Sequence, residues 1–235
     1  MNRIICSIIL LFACSCSCWS QNLSELNGQE YVDLGLSVLW ATKNIGACTE
    51  DESGDCFAWG ETEPKSVYSM KNYKFGEWGN LSKYVNVTEV EYRYDFEYGA
   101  IVDSLTVLEP IDDAATCNWG SPWRMPTNKE YIELVTECEW IWIERYNGKD
   151  VNGYIVRGKN GNQIFLPCTE GMEYGVLHQY GRYWTSTLQK NRFAHEMFFG
   201  DNMIDIDLNS SHRYEGKPVR PVMERSGVTT KKIKT

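Results

Sequence analysis

Histidines, cysteines and clustered carboxylates are where chemistry would start in this chain of 235 residues. A thiol nucleophile needs a base within hydrogen-bond reach. Cys48 or Cys138 with one of His178, His195 and His212 would supply the residue types, but no spacing brings such a pair together. The histidines stand too far apart for a local zinc motif and read as surface residues in loops. Asp201, Asp205 and Asp207 carry the hard oxygen ligands that calcium takes. Their spacing is not that of an EF-hand, and the same alternation suits the solvent face of a strand, the reading taken here. Glu50, Asp51, Glu52 and Asp55 are read as solvated in the same way. Gly-x-Ser-x-Gly, His-Glu-x-x-His, a phosphate-binding glycine loop and a dinucleotide fingerprint do not occur in the sequence. The residues therefore spell out no catalytic set, no metal site and no cofactor, calcium at the aspartates being the single candidate.

Charge narrows the partners. Asp and Glu number 32 against 23 Lys and Arg, a formal net charge of −9. Such a chain lacks the electrostatic footprint of a nucleic-acid binder and the basic patch that would hold an anionic membrane. Aromatics make up 13%, with 9 Trp and 14 Tyr, which points to a folded, aromatic-rich domain.

Residues 1–20 read as a signal peptide: Arg3, then the apolar run Ile4 to Ala13, then small residues. The run is too short to span a membrane. Two processing routes are open. Leu11-Phe12-Ala13-Cys14 resembles a lipobox, which makes Cys14 the lipidation candidate, and Cys18-Trp19-Ser20 offers cleavage before Gln21. The product is extracytoplasmic: secreted, periplasmic, or an outer-membrane or cell-surface lipoprotein. Export permits disulfides. Cys48, Cys56, Cys117, Cys138 and Cys168 lie beyond the leader. Cys48 and Cys56 flank a short polar loop that a bridge could close, and equally read as separate small residues in neighbouring strands. Cys117 and Cys138 sit beside apolar positions and read as core.

The elements that would position these groups follow from periodicity. Residues 21–27 form a polar linker, 28–225 the domain and 226–235 a polar tail. Tyr31 to Gly35 and Ser37 to Ala41 read as short strands around a glycine turn. Residues 61–108 read as long loops with a few short strands. A short helix is predicted from Asp112 to Cys117, with Asp112 at its start. Thr127 and Glu130 form a capping box, and Tyr131, Leu134, Val135 and Cys138 then recur on one helical face. After Cys138 the period becomes two. Gly153 to Arg157 and Gln163 to Leu166 flank Asn160-Gly161, a hairpin signal. Tyr183 to Ser186, Phe193 to Phe199, Met203 to Leu208 and Pro218 to Val222 continue as short strands. Strands, then helices, then antiparallel strands make an α+β order. Asn118-Trp119-Gly120-Ser121-Pro122-Trp123-Arg124 reads as a fixed corner seating the helix, with the Arg124 guanidinium free to stack on an indole.

The ordered set Val32-Asp33-Leu34-Gly35-Leu36-Ser37, Phe57-Ala58-Trp59-Gly60-Glu61-Thr62, Asn118-Trp119-Gly120, Trp123-Arg124-Met125-Pro126-Thr127, Tyr183-Trp184-Thr185-Ser186 and Val219-Arg220-Pro221-Val222 resembles the Fibrobacter succinogenes major paralogous domain family of exported Bacteroidetes proteins. That family resembles the C-type-lectin-like, formylglycine-generating-enzyme-like fold. The resemblance implies two helices packed on short twisted antiparallel sheets with long loops, and ligand display without catalysis. It makes Trp59, Asn118, Trp119, Trp123, Arg124, Thr127, Glu130, Trp184 and Arg220 scaffold. It also places a presenting face in the loops between Tyr183-Trp184 and Val219-Arg220-Pro221. Candidate ligand-binding residues there are Tyr180, Arg182, Arg192, His195, Asp201, Asn202, His212, Arg213 and Tyr214, with Trp78 outside every motif. The expected function is a non-catalytic ligand-binding or adhesion module whose partner is a glycan or protein at the cell surface. Alternatives are a carbohydrate-binding protein using exposed aromatics (Trp59, Trp78 or Tyr174), a formylglycine-generating-like enzyme, and a surface-fibre or pilus-tip component. The calcium and catalytic motifs of such relatives do not carry over: Glu109-Pro110-Ile111 lacks the amide of the sugar-binding tripeptide, and Cys168 is the last cysteine. Asp103-Ser104-Leu105 resembles the O-glycosylation tripeptide of exported Bacteroidetes proteins.

Overall fold

The structure, a computed structural model, describes residues 23–77, 80–86, 103–173, 176–201, 203–205 and 210–225, with the backbone alone over 170–179. The leader with Cys14, the tail, Trp78, Asn202, Asp207 and the Tyr174 and His178 side chains lie outside the described residues.

The first element falls inside the stretch read as linker. Strands β1 (Ser24–Leu26) and β2 (Gln29–Val32) pair across Asn27-Gly28. Asn27 and Gly28 both have positive φ (54° and 76°), the requirement of a two-residue hairpin turn and a reason Asn-Gly is favoured there. The linker reading is corrected: polarity outweighed a turn signal that was present. β3 (Val38–Ala41) and the last strand, β12 (Val222–Glu224), complete a four-stranded sheet in the order β1-β2-β3-β12.

Helix α1 (Ala114–Trp119) starts two residues later than predicted. Its cap is Asp113, whose carboxylate accepts from Thr116 N–H at 2.9 Å. Asp112 instead bonds Lys74 (2.6 Å), Lys83 (2.5 Å) and the Tyr84 hydroxyl (2.7 Å). Helix α2 (Asn128–Glu137) opens on the Thr127/Glu130 capping box and buries Tyr131 and Leu134. β4 (Glu139–Ile143), β5 (Gly153–Arg157) and β6 (Gln163–Pro167) form an antiparallel meander. β7 (Thr169–Glu173), β8 (Val176–Lys190), β9 (Phe193–Gly200) and β10 (Met203–Asp205) form the third sheet, and β11 (Ser210–His212) pairs with β9. Among the described residues the chain is thus an α+β fold with two α-helices and three antiparallel sheets.

β8 divides the interior. Neighbouring strand residues point to opposite faces. Tyr183 enters a core with Trp40, Tyr131, Leu134 and Phe199. Trp184 enters a second core with Phe57, Trp59, Tyr84 and Val219. Both carry a polar end and satisfy it: Tyr183 Oη donates to Pro167 O (2.7 Å) and Trp184 Nε1 to Phe57 O (2.7 Å). A third, smaller core gathers Tyr31, Leu39, Trp123 and Met223.

Several side chains differ from expectation. Arg124 does not stack on an indole; its guanidinium bonds Glu130 twice (2.8 and 2.5 Å) and Glu224 (2.5 Å), because the capping carboxylate offers a full negative charge. Burial raises the Glu130 carboxyl, but hydrogen bonds from Arg124 and Thr127 outweigh it and hold the group below its ordinary range. Cys48 and Cys56 are free thiols. Their loop is closed by hydrogen bonds instead: Cys48 N–H to Glu52 (2.7 Å), Asn44 Nδ2 to Ser53 O (2.9 Å) and Asp55 N–H to Ile45 O (2.8 Å). Cys117, read as core, is exposed on α1, while Cys168 is buried. Asp51 is not a solvated residue: it is buried and paired with Lys149 at 2.6 Å, which holds its carboxyl low.

Candidate functional site

The long strand β8 builds the candidate face. Its residues 181–184 pair with β9, placing Arg182 opposite Phe198 and Trp184 opposite Glu196. Tyr180 and Arg182 are two residues apart and share a face. The Arg182 guanidinium lies 5.1 Å from the Phe198 ring centroid and 6.0 Å from that of Tyr180, and the two rings are 5.2 Å apart. Gly181 makes this arrangement possible. A Cβ there would sit 1.9 Å from the Phe199 ring, which packs directly on the strand's other face.

Next along the face is an ion pair. Glu196 and Lys217 are 3.1 Å apart with their side chains 2% and 4% exposed, and Ser211 Oγ donates to Glu196 at 2.9 Å. Lys217 also bonds Glu215 (2.9 Å) and lies 4.9 Å over the Trp184 ring. Burial raises the Glu215 carboxyl, but Lys217, with help from His212 and Arg182, leaves it below the ordinary carboxylate range. With burial so nearly complete, this pair is costly to desolvate and costly to break.

A ring stack lies on the other face of β9, since Phe193 is five residues from Phe198 along that strand. Phe193 pairs with His212 across β9 and β11. Their rings are 4.5 Å apart, and Tyr214 stacks on His212 at 5.2 Å. Burial lowers the His212 pKa and favours the neutral ring; the Glu215 carboxylate opposes this, and Arg192 and Lys217 add to it. All three rings are half-buried. His195 and His212 therefore sit in strands, not in surface loops. Strand pairing, invisible at the level of single residue types, places them there.

Arg213 is the main correction. Chosen as a ligand-binding residue, it is 2% exposed and points into the second core. Its guanidinium lies 4.9 Å from Trp59, 5.4 Å from Tyr73, 5.5 Å from Phe75 and 5.8 Å from Tyr84. It donates to Tyr73 Oη and to the carbonyls of Lys83, Tyr84 and Asn191. Arg213 is the first residue past β11, tied by its N–H to Arg192 O (3.2 Å), and its side chain turns inward while the His212 and Tyr214 rings on either side stack together.

The remaining candidates divide. Arg192 is half-buried beside the ring stack, and Asp201 is exposed beyond the end of β9. Among the described residues no group of three or more His, Cys, Asp or Glu side chains could hold a metal ion. Trp59 is fully buried and cannot serve as a sugar platform. It donates through Nε1 to Thr185 O (2.9 Å). Trp184 and Trp123 are likewise buried, with Trp119 half-buried at right angles to Trp123. Asn118 is exposed and bonds Ala114 O and Thr62 O. Arg220 is fully buried and ties Asn44, Ala41, Thr42 and Phe165 together.

Residue types alone missed Phe198, Glu196, Ser211, Glu215 and Lys217. The alternation of Phe198 and Glu196 opposite Arg182 and Trp184 was the available signal, legible only once the strand register is known. A separate groove of about 370 Å³ lies between Leu34-Gly35-Leu36 and α2, lined also by Lys129, Glu133 and Lys159. Comparison with protein-family models, curated proteins and solved structures finds no match to this chain.

Proposed function

We propose that the chain is an exported, non-catalytic ligand-binding or adhesion module, with the β8/β9/β11 face presented on a C-type-lectin-like scaffold of the major paralogous domain kind. The observation that carries this reading is the Tyr180–Arg182–Phe198 unit. The half-exposed Tyr180 ring and Arg182 guanidinium are held in place there by packing on the buried Phe198 ring, which lowers the ordering cost of binding. Tyr and Arg are also the residue types that concentrate binding energy at interfaces. The leader-like residues 1–20 support export. A carbohydrate ligand is the second reading, favoured by the ring stack as a face for a sugar to lie on.

Glycan and extracellular-protein arrays probed with the secreted protein test the proposal. Tyr180→Ala is expected to weaken whatever binds by at least about tenfold, the range of a binding hot spot. Binding that survives this change unaltered would remove this face from consideration.

A further inference from the structure

Arg182 has, among the described residues, no carboxylate partner. Glu215, near enough to feel its charge, is taken by Lys217 at 2.9 Å. Glu196 is taken by Lys217 and Ser211. Arg182 itself contacts the Tyr180 and Phe198 rings and, among the described residues, no hydrogen-bond or ion-pair partner. Its planar fork of N–H donors is therefore half-exposed, oriented by two rings and unspent. Such a fork matches the two oxygens of a carboxylate or sulfate, and stacking on rings reduces the freedom it must give up. Lys217 is balanced by Glu196 and Glu215 and adds no net positive charge beside the fork. Built features surround the fork. Phe198 beneath it is 7% exposed. Gly200 carries no side chain where a Cβ would approach the Tyr180 ring at 3.4 Å, leaving that ring room beside the guanidinium.

We infer that this face binds an acidic saccharide, with Arg182 gripping a carboxylate or sulfate of the sugar and the Tyr180 ring lying against the sugar face. The inference rests on the ligand-binding reading above and narrows its ligand. A ring beside the fork favours a saccharide over an acidic peptide, because a sugar presents an apolar C–H face and an anionic group on one rigid unit.

The test uses the mature secreted protein in calorimetric titrations with an oligogalacturonate hexasaccharide and a chondroitin sulfate hexasaccharide. Cellohexaose and a poly-glutamate peptide serve as comparators. Expected is binding of at least one acidic saccharide that weakens as salt rises. Arg182→Ala should raise its Kd about tenfold or more, and Arg182→Lys should leave an intermediate loss because charge stays while the fork goes. Arg145→Ala, an exposed arginine just beyond β4, should leave Kd unchanged. Thermal melting confirms that each variant is folded. An unchanged Kd in Arg182→Ala overturns the inference, as does poly-glutamate binding as tightly as the saccharides. If the arrays yield a neutral glycan or a protein ligand while both acidic saccharides fail, the inference falls and the ligand-binding reading stands. If titrations and arrays are all empty, both fall.

Discussion

Replacing Arg213 by alanine removes one buried guanidinium and leaves four acceptors behind. These are Tyr73 Oη at 3.0 Å, Tyr84 O at 3.2 Å, Asn191 O at 2.8 Å and Lys83 O at 2.9 Å. A hydrogen bond to a charged group contributes about 1.5–3 kcal/mol, so the gross loss is roughly 6–12 kcal/mol. Relief from burying the charge returns several kcal/mol. The net destabilisation expected is about 3–5 kcal/mol, the range for breaking a buried charged network. For a domain of this size that lowers Tm by on the order of 10 °C. Urea unfolding followed by tryptophan fluorescence reads it, since Trp59 lies 4.9 Å from the guanidinium. Arg182→Ala serves as the contrast: its guanidinium is half-exposed, and a change of roughly 0.5 kcal/mol or less is expected. If Arg213→Ala and Arg182→Ala unfold within about 1 kcal/mol of each other, the ring cage is not a staple and the division between scaffold and ligand face fails.

Thr127→Ala removes the cap of α2 and should cost about 1 kcal/mol by the same urea assay; no change would mean that the Glu130–Arg124 pair alone holds that helix end. The Glu130 carboxyl is lower in the folded chain than its ordinary value, so its stabilisation is present above about pH 4.5 and is lost as pH falls through the folded pKa. Glu130→Gln should accordingly be less stable at neutral pH and lose less stability on acidification, and an acid limb as steep as wild type would refute this. Burial pushes the Cys168 thiol up to about 12, so alkylation at pH 8 should modify exposed Cys48 and Cys117 and spare Cys168 until the chain unfolds, with peptide mass mapping as the readout. Gly181→Ala should destabilise by about 1–3 kcal/mol through overpacking against Phe199, and a neutral result would mean that the β8/β9 register differs from the one described.

Elements with strong local signals were legible in the sequence. The capping box at Thr127 and Glu130, the face Tyr131/Leu134 and the hairpin around Asn160-Gly161 depend on contacts a few residues apart. Misreadings cluster where partners are distant. Asp113 caps α1 while Asp112 goes to Lys74 and Lys83, and nothing in two adjacent aspartates says which is which. Arg213 resembled Arg182 and Arg192 as a charged residue near the presenting loops. Only its bonds to Tyr73, Lys83, Tyr84 and Asn191 show that it turns inward. Asp51 looked like one of a run of solvated acids until Lys149 supplied its counter-charge. Ring-bearing motifs read as scaffold do map to buried positions at Trp59, Trp123 and Trp184, since large apolar groups have one strong preference.

Strand alternation defines what the face can do. Glu196 on β9 is opposite Trp184 on β8, so its carboxylate is drawn under the edge of the second core and must be neutralised there. Lys217 does this and also takes Glu215. Two positions nearer the end of β9, Phe198 puts a ring, not a carboxylate, opposite Arg182. A ring orients a guanidinium without occupying its N–H donors. Exchanging the two, as in Glu196→Phe with Phe198→Glu, would give Arg182 an internal acceptor and strand Lys217 with half its pairing. The arginine stays available because the carboxylates are placed where the core needs them and a ring is placed where a ligand's oxygens would otherwise meet a competitor.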